Sequence, residues 1–310
     1  MDRFKSPSLL EANLLYLFLG ILLITGGQIV QSRDVYSGLL ITEFIIILLP
    51  NLVYLKFRGY SLKKVLRLNK ISLEQGIYSV FIMIFAYPVA VAINATMLLL
   101  LSKFTTILPS GIPLPSNLKE FSVSLFIMAL APGICEEVMF RGTMLDSYER
   151  LGHKKSILIT AFLFGIFHFN IFNFIGPAVL GIILSILAYK TNSIYTSIIG
   201  HTINNSIALT IGYLVTKYSG QIDQMANQPI PIDQSAQLLA SAIILLVIGA
   251  GSLFMLIFLL KKIPAYKPLT ENIEFEEVYE ENKSNLFLDF APVVIVVAIF
   301  LSINLRFFLN

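Results

Sequence analysis

Long apolar runs, broken by short polar and mostly basic segments, set the pattern of this chain. They fall near residues 12–31, 35–55, 76–102, 121–147, 156–172, 175–189, 193–215, 237–260 and 287–308. Runs of about 20 apolar residues are what a helix needs to cross a hydrocarbon core of about 30 Å. Transmembrane β-strands would be shorter and would alternate apolar with polar positions, so a barrel is excluded. Ser156 to Tyr189 carries no acidic or basic residue besides His168, and the break between the fifth and sixth runs is placed near Gly176-Pro177. The pattern predicts an all-α, polytopic integral membrane bundle of eight or nine helices, with residues 1–310 forming one membrane domain.

Composition agrees: 56% of the 310 residues are hydrophobic and 13% are charged, more apolar surface than a soluble domain can hide. The net charge of +3 says little, because the charges lie in the connections. Lys56, Arg58, Lys63, Lys64, Arg67 and Lys70 follow the second run. Arg150, Lys154 and Lys155 follow the fourth, Lys190 the sixth, and Lys261, Lys262 and Lys267 the eighth. All fall on the side of an N-terminus that carries Arg3 and Lys5. The positive-inside rule makes that side cytoplasmic, in a multi-pass protein of the cell membrane. The first apolar run lacks a small-x-small cleavage site and is read as a retained span. Segment 57–71 could lie on the membrane as an amphipathic helix or form an ordinary basic loop. The acidic stretch within 263–285 (Glu271, Glu274, Glu276, Glu277, Glu280, Glu281) reads as a cytoplasmic linker before the last span, with docking of a partner as the sharper alternative. Nothing in the pattern points to nucleic acid.

Chemistry concentrates at the end of the fourth run, in Cys135-Glu136-Glu137-Val138-Met139-Phe140-Arg141-Gly142. An ionisable side chain at bilayer depth costs roughly 2.5–3.5 kcal/mol on insertion scales. Glu137 and Arg141 are four apart and share a helix face, in the favourable order for an ion pair. Glu136 points about 100° away from them and is left to face a cavity, with Pro132-Gly133 upstream able to loosen the helix and free carbonyls. His168 follows Phe164 by one turn, and His201 and Asn205 share a face of the seventh span. An imidazole and an amide so placed suit an oxyanion, or serve as interhelical packing groups. Of the three histidines, His153 sits in a basic loop and reads as solvated. Glu43, mid-span in the second helix, is a buried carboxyl without an assigned role. The single cysteine, Cys135, reads as a small buried thiol and excludes an internal disulfide. Asn94 and Asn204 read as packing residues.

Taken in order, Glu136-Glu137-x-x-x-Arg141, Phe164-x-x-x-His168 and His201-x-x-x-Asn205 resemble the three-motif signature of the CAAX-protease and bacteriocin-processing (CPBP, or ABI) family of intramembrane proteases, whose best-known branch is the Ras-converting CAAX endopeptidase. The resemblance covers roughly 120–215, the core that carries the motifs. It implies a helical membrane peptidase with its site sunk below the cytoplasmic surface. Glu136 with His168 would activate water, His201 and Asn205 would hold the oxyanion, and Glu137, Arg141 and Phe164 would support the site. The partners implied are membrane lipid and a membrane-associated peptide or protein substrate.

Two chemistries stay open. The family is often labelled metalloprotease, and Glu136, His168 and His201 could offer zinc two nitrogens and an oxygen. The HExxH helix is absent, however, and a glutamate–histidine base without a metal explains the same residues. Two other functions were weighed: a non-catalytic membrane scaffold or bacteriocin self-immunity protein, and a proton-coupled transporter. The first would have lost a catalytic group, and none is missing. The second predicts inverted repeats, which the chain does not show.

Overall fold

The structure is a computed structural model that describes residues 6–107, 113–226, 234–266 and 285–309, with the side chains of 219–226 and 234–238 left aside. Among the described residues the regular structure is helical, without strands. Eight helices are long and apolar enough to cross a membrane. Five of them are α1 (Leu9–Arg33), α2 (Val35–Phe57), α4 (Leu73–Leu101), α5 (Leu118–Leu151) and α7, whose regular part is Ile175–Thr191. The other three are α8 (Ile194–Ala226), α9 (Gln234–Lys262) and α10 (Leu286–Leu305). Two shorter helices, α3 (Leu62–Val65) and α6 (His153–Ile166), complete the set.

Local chemistry explains the starts. Ser8 and Glu11 form a reciprocal capping box on α1, as Ser72 and Gln75 do on α4, and the Asn117 side chain accepts from the Glu120 backbone at the start of α5. Asn192 ends α7 in a left-handed conformation, which asparagine tolerates better than most residues. α5 is the axis of the bundle: 61% of its most apolar window is buried, against 11% for α9, which packs on α4 at the periphery. One core joins α1, α5, α6 and α10; a second joins α4, α7 and α9.

One expectation changes, and one open alternative is decided. The run 156–172 does not form a continuous span. α6 stops at Ile166 after 14 residues, about 21 Å of helix, and the chain then turns through Phe167 and His168 before a short 3₁₀ turn at Ile171–Asn173. Irregular backbone at that depth is tolerated only inside protein, and Phe167 is buried in the core. Segment 57–71 is not a long amphipathic helix either. Only Leu62–Val65 is helical, and Val65 and Leu66 turn inward against Leu55, Val138 and Ile194. Most of the acidic stretch lies outside the described residues.

Close helix approach depends on two glycines. A Cβ on Gly181 of α7 would come within 2.9 Å of Ala161 Cα on α6. On Gly133 of α5 it would overlap the Thr202 hydroxyl and lie 3.2 Å from the Thr202 nitrogen of α8. Gly181→Leu is expected to destabilise the protein by about 1–3 kcal/mol through overpacking. Gly251→Leu, where the added group meets nothing within 4 Å, is expected to stay within about 0.5 kcal/mol of the parent. Thermal unfolding in detergent followed by circular dichroism measures both; equal loss from the two substitutions would refute the packing account.

Candidate active site

The two glutamates lie at the end of a helical stretch of α5, Ala131–Glu137, that is bracketed by wider, π-type turns at Leu125–Leu130 and Val138–Met144. Such turns re-aim side chains within a helix and recur at functional sites. Glu137 and Arg141 form the expected ion pair, Arg141 Nη1 to Glu137 Oε1 at 2.8 Å, with both side chains buried. Arg141 Nη2 donates to the Gly181 carbonyl at 3.3 Å, and its guanidinium lies 4.5 Å from the centre of the Phe164 ring. Two helices and one aromatic face therefore hold this cation.

Glu137 does more than neutralise Arg141. Its Oε1 also lies 2.8 Å from His201 Nδ1, and the Ser197 hydroxyl sits beside the same carboxylate. A carboxylate only accepts, so Nδ1 carries the proton and Nε2 is turned outward. Nε2 in turn lies 3.8 Å from Glu136 Oε2. Glu136 keeps 14% of its side chain exposed, so it borders the site and is not turned out to lipid. His201 is thus set between the paired glutamates by its two nitrogens.

His168 is oriented by different means. Its Nδ1 lies 2.9 Å from the Phe164 carbonyl, which accepts, so Nδ1 carries a proton and Nε2 is left for another partner. Among the described residues His168 forms no ion pair with Glu136; the imidazole paired with Glu136 is that of His201. The Phe164 ring contacts both histidines in near-perpendicular geometry, with centroids 5.3 Å from His168 and 5.7 Å from His201.

Asn205 is drawn to the loosened turn of α5. Pro132 has no N–H to give the carbonyl four residues back, that of Met128, and Asn205 Nδ2 donates to this carbonyl at 3.1 Å. Asn204 Nδ2 donates to Asn205 Oδ1 at 2.9 Å, fixing the orientation of the amide. Among the described residues only one of the two amide hydrogens of Asn205 is used.

Glu43 on α2 is buried, and its Oε2 has no partner among the described residues. The carboxyl is close enough to Glu136 and to Cys135 for charges to interact. Cys135 is a buried free thiol. His153 lies outside the site, stacked on Tyr189 at 4.7 Å. Zinc needs its donors at about 2.0–2.3 Å from one point. Among the described residues no three His, Cys, Asp or Glu side chains gather in that way. Glu136, His168 and His201 therefore do not fit the zinc set that their residue types allowed, and no step is routed through a metal.

Residues 119–207 match the family described as Rce1-like, type II CAAX prenyl endopeptidase Rce1-like. Over that segment the chain is similar to the Rce1-like family. No curated protein and no solved structure matches the chain. The Rce1-like segment contains every motif residue described above, and it leaves α1 to α4, α9 and α10 outside. The match therefore covers the motif-bearing core, α5 to the first half of α8, and less than half of the chain. Arginine is the most exacting part of that segment to replace. Arg141→Leu leaves Glu137 buried without its neutralising partner and is expected to cost about 3–5 kcal/mol of stability. The double variant Glu137→Gln/Arg141→Leu should lose less than R141L alone. Thermal midpoints in detergent check this, and a double variant no more stable than R141L would contradict it.

Proposed function

We propose that this protein is an intramembrane endopeptidase that hydrolyses a peptide bond near the membrane–cytoplasm boundary, with Glu136 as the base. The convergence of His201 on both Glu136 and Glu137 carries the reading. A charged set at membrane depth is tolerable only when balanced. With Glu136 and Glu137 ionised, Arg141 and an imidazolium at His201 bring the sum to zero.

In this scheme Glu136 takes a proton from water as the hydroxide oxygen attacks the substrate carbonyl. The carbonyl oxygen becomes an oxyanion, held by His201 Nε2–H and by the second amide hydrogen of Asn205. Charge developing there is stabilised by donors already fixed in place, His201 by Glu137 and Asn205 by Met128 and Asn204. The C–N bond then breaks and the proton on Glu136 passes to the leaving amine. His168, whose Nδ1 is held by the Phe164 carbonyl and whose ring contacts Phe164, assists this proton traffic and the positioning of water. Glu137 and Arg141 orient the donors and stay out of the bond changes.

The substrate class follows from the setting: a membrane-associated peptide or protein, a prenylated C-terminus being one that suits a site open to lipid. The orientation implied by the basic connections puts the N-terminus, and the mouth of the site, on the cytoplasmic face. No observation favours a scaffold or a transporter, since each group the hydrolysis needs is present.

Glu136→Gln is expected to lower cleavage of a membrane peptide about 10²- to 10⁴-fold, with helicity and thermal midpoint kept. His201→Ala and Asn205→Ala should each lower it about 10²- to 10³-fold, and His168→Ala should also lower it. Cleavage is assayed with the full chain in detergent or vesicles. If all four folded variants cleave like the parent, the assignment fails.

A further inference from the structure

The backbone that follows His168 is held by a helix outside the Rce1-like segment. After α6 the chain passes through His168 into Phe169, whose φ is +49°. That left-handed conformation is unusual for a bulky aromatic residue, and such backbone persists where the surroundings over-determine it. The surroundings here centre on Asn304, near the end of α10. Its Oδ1 accepts from the Ile171 backbone N–H at 2.8 Å. Its Nδ2 donates to the Phe169 carbonyl at 3.3 Å and to the Phe300 carbonyl of its own helix at 2.7 Å. Both amide hydrogens and the oxygen are thereby used, and the side chain is 3% exposed. Phe300 and Phe307 flank the same loop through ring contacts with Phe174 and Phe172.

We propose that Asn304 is a positioning residue for His168: its carboxamide fixes the turn from Phe169 to Ile171 and so sets the aim of the imidazole, making the last span part of the working peptidase. This deepens the proposed function and rests on its reading of His168 as a participant. The bland alternative is an amide that merely glues two helices together. Two features speak against it. Both loop contacts go to backbone groups within three residues of His168, one of them on the strained residue. And α10 has its own anchor at the other end, where Asn13 Nδ2 donates to the Asp289 carbonyl at 2.7 Å, with Val293 and Val296 in the core. Removing the Asn304 amide should therefore loosen the loop without undocking the span.

The test uses the full chain in detergent or nanodiscs, with histidine rings labelled with ¹⁵N. Three histidines give few signals, and His168→Ala identifies the one that matters. Asn304→Leu is expected to shift or broaden the His168 ring signal, to leave that of His201 in place, and to speed amide exchange at Phe169 and Ile171. In cleavage of a membrane peptide it should lower kcat roughly ten- to a hundredfold, with KM held and no further loss in the H168A background. Asn304→Asp keeps the acceptor for Ile171 and loses the donors, so it should fall between the parent and N304L; it carries the same comparison if N304L does not fold. An unchanged His168 signal, or losses from N304L and H168A that multiply, overturns the proposal. A parent chain that cleaves no membrane peptide would sink the peptidase reading instead, and the ring-signal comparison would still decide the role of Asn304.

Discussion

A carboxylate buried at bilayer depth has to be answered, and Glu137 is answered twice, by Arg141 on its own helix and by His201 from α8. Much of the site follows from that double engagement. It fixes which nitrogen of His201 is turned outward, and it brings α8 close enough to α5 that Gly133 has to lack a side chain. It also requires further support for the guanidinium, which the Gly181 carbonyl and the Phe164 face supply. Low dielectric makes each of these contacts strong when formed and expensive when broken, so the ion pair and the helix packing stand or fall together.

Breaks in regular structure do the complementary work. Pro132 leaves the Met128 carbonyl to Asn205, and the early end of α6 puts His168 on a turn. A straight helix offers its side chains and hides its backbone; here the helices carrying Met128 and Phe164 are interrupted, so those two carbonyls accept from Asn205 and His168, while the Gly181 carbonyl, inside the regular α7, accepts from Arg141 where the glycine leaves room beside it. This is how a bundle with few polar side chains can still satisfy a cluster of charged and amide groups.

Helix spacing alone made the Glu137–Arg141 pair legible, along with the shared face of His201 and Asn205, because those relations are local and periodic. The spans were legible for the same reason: their apolar length is dictated by the membrane. Which imidazole meets Glu136 was not legible. That depends on how α5, α6 and α8 rotate against one another, and pairing Glu136 with His168 was the natural guess while His201 in fact lies nearer. The carbonyl partners have no residue signature at all. The end of α6 at Ile166 is marked by no proline, and Gly165 alone does not specify it; the residues that hold the following turn, Asn304 above all, lie more than a hundred positions away. In the segment after Phe57 the basic residues allow a surface helix or a loop alike, and the inward packing of Val65 and Leu66, which decides for the loop, has no signature in the charge pattern.

The Phe164 ring gives the site a spacer of covalent dimensions. Both imidazoles and the guanidinium abut this one six-membered carbon plate, so a rigid, uncharged surface common to all three limits how closely they can approach one another. Under the proposed function, water and a membrane-borne chain would occupy this chamber in turn. Hydrogen-bond lengths and ion-pair strengths respond to such a change of surroundings, whereas the shape of the ring does not, which makes it the least solvent-sensitive wall of the site.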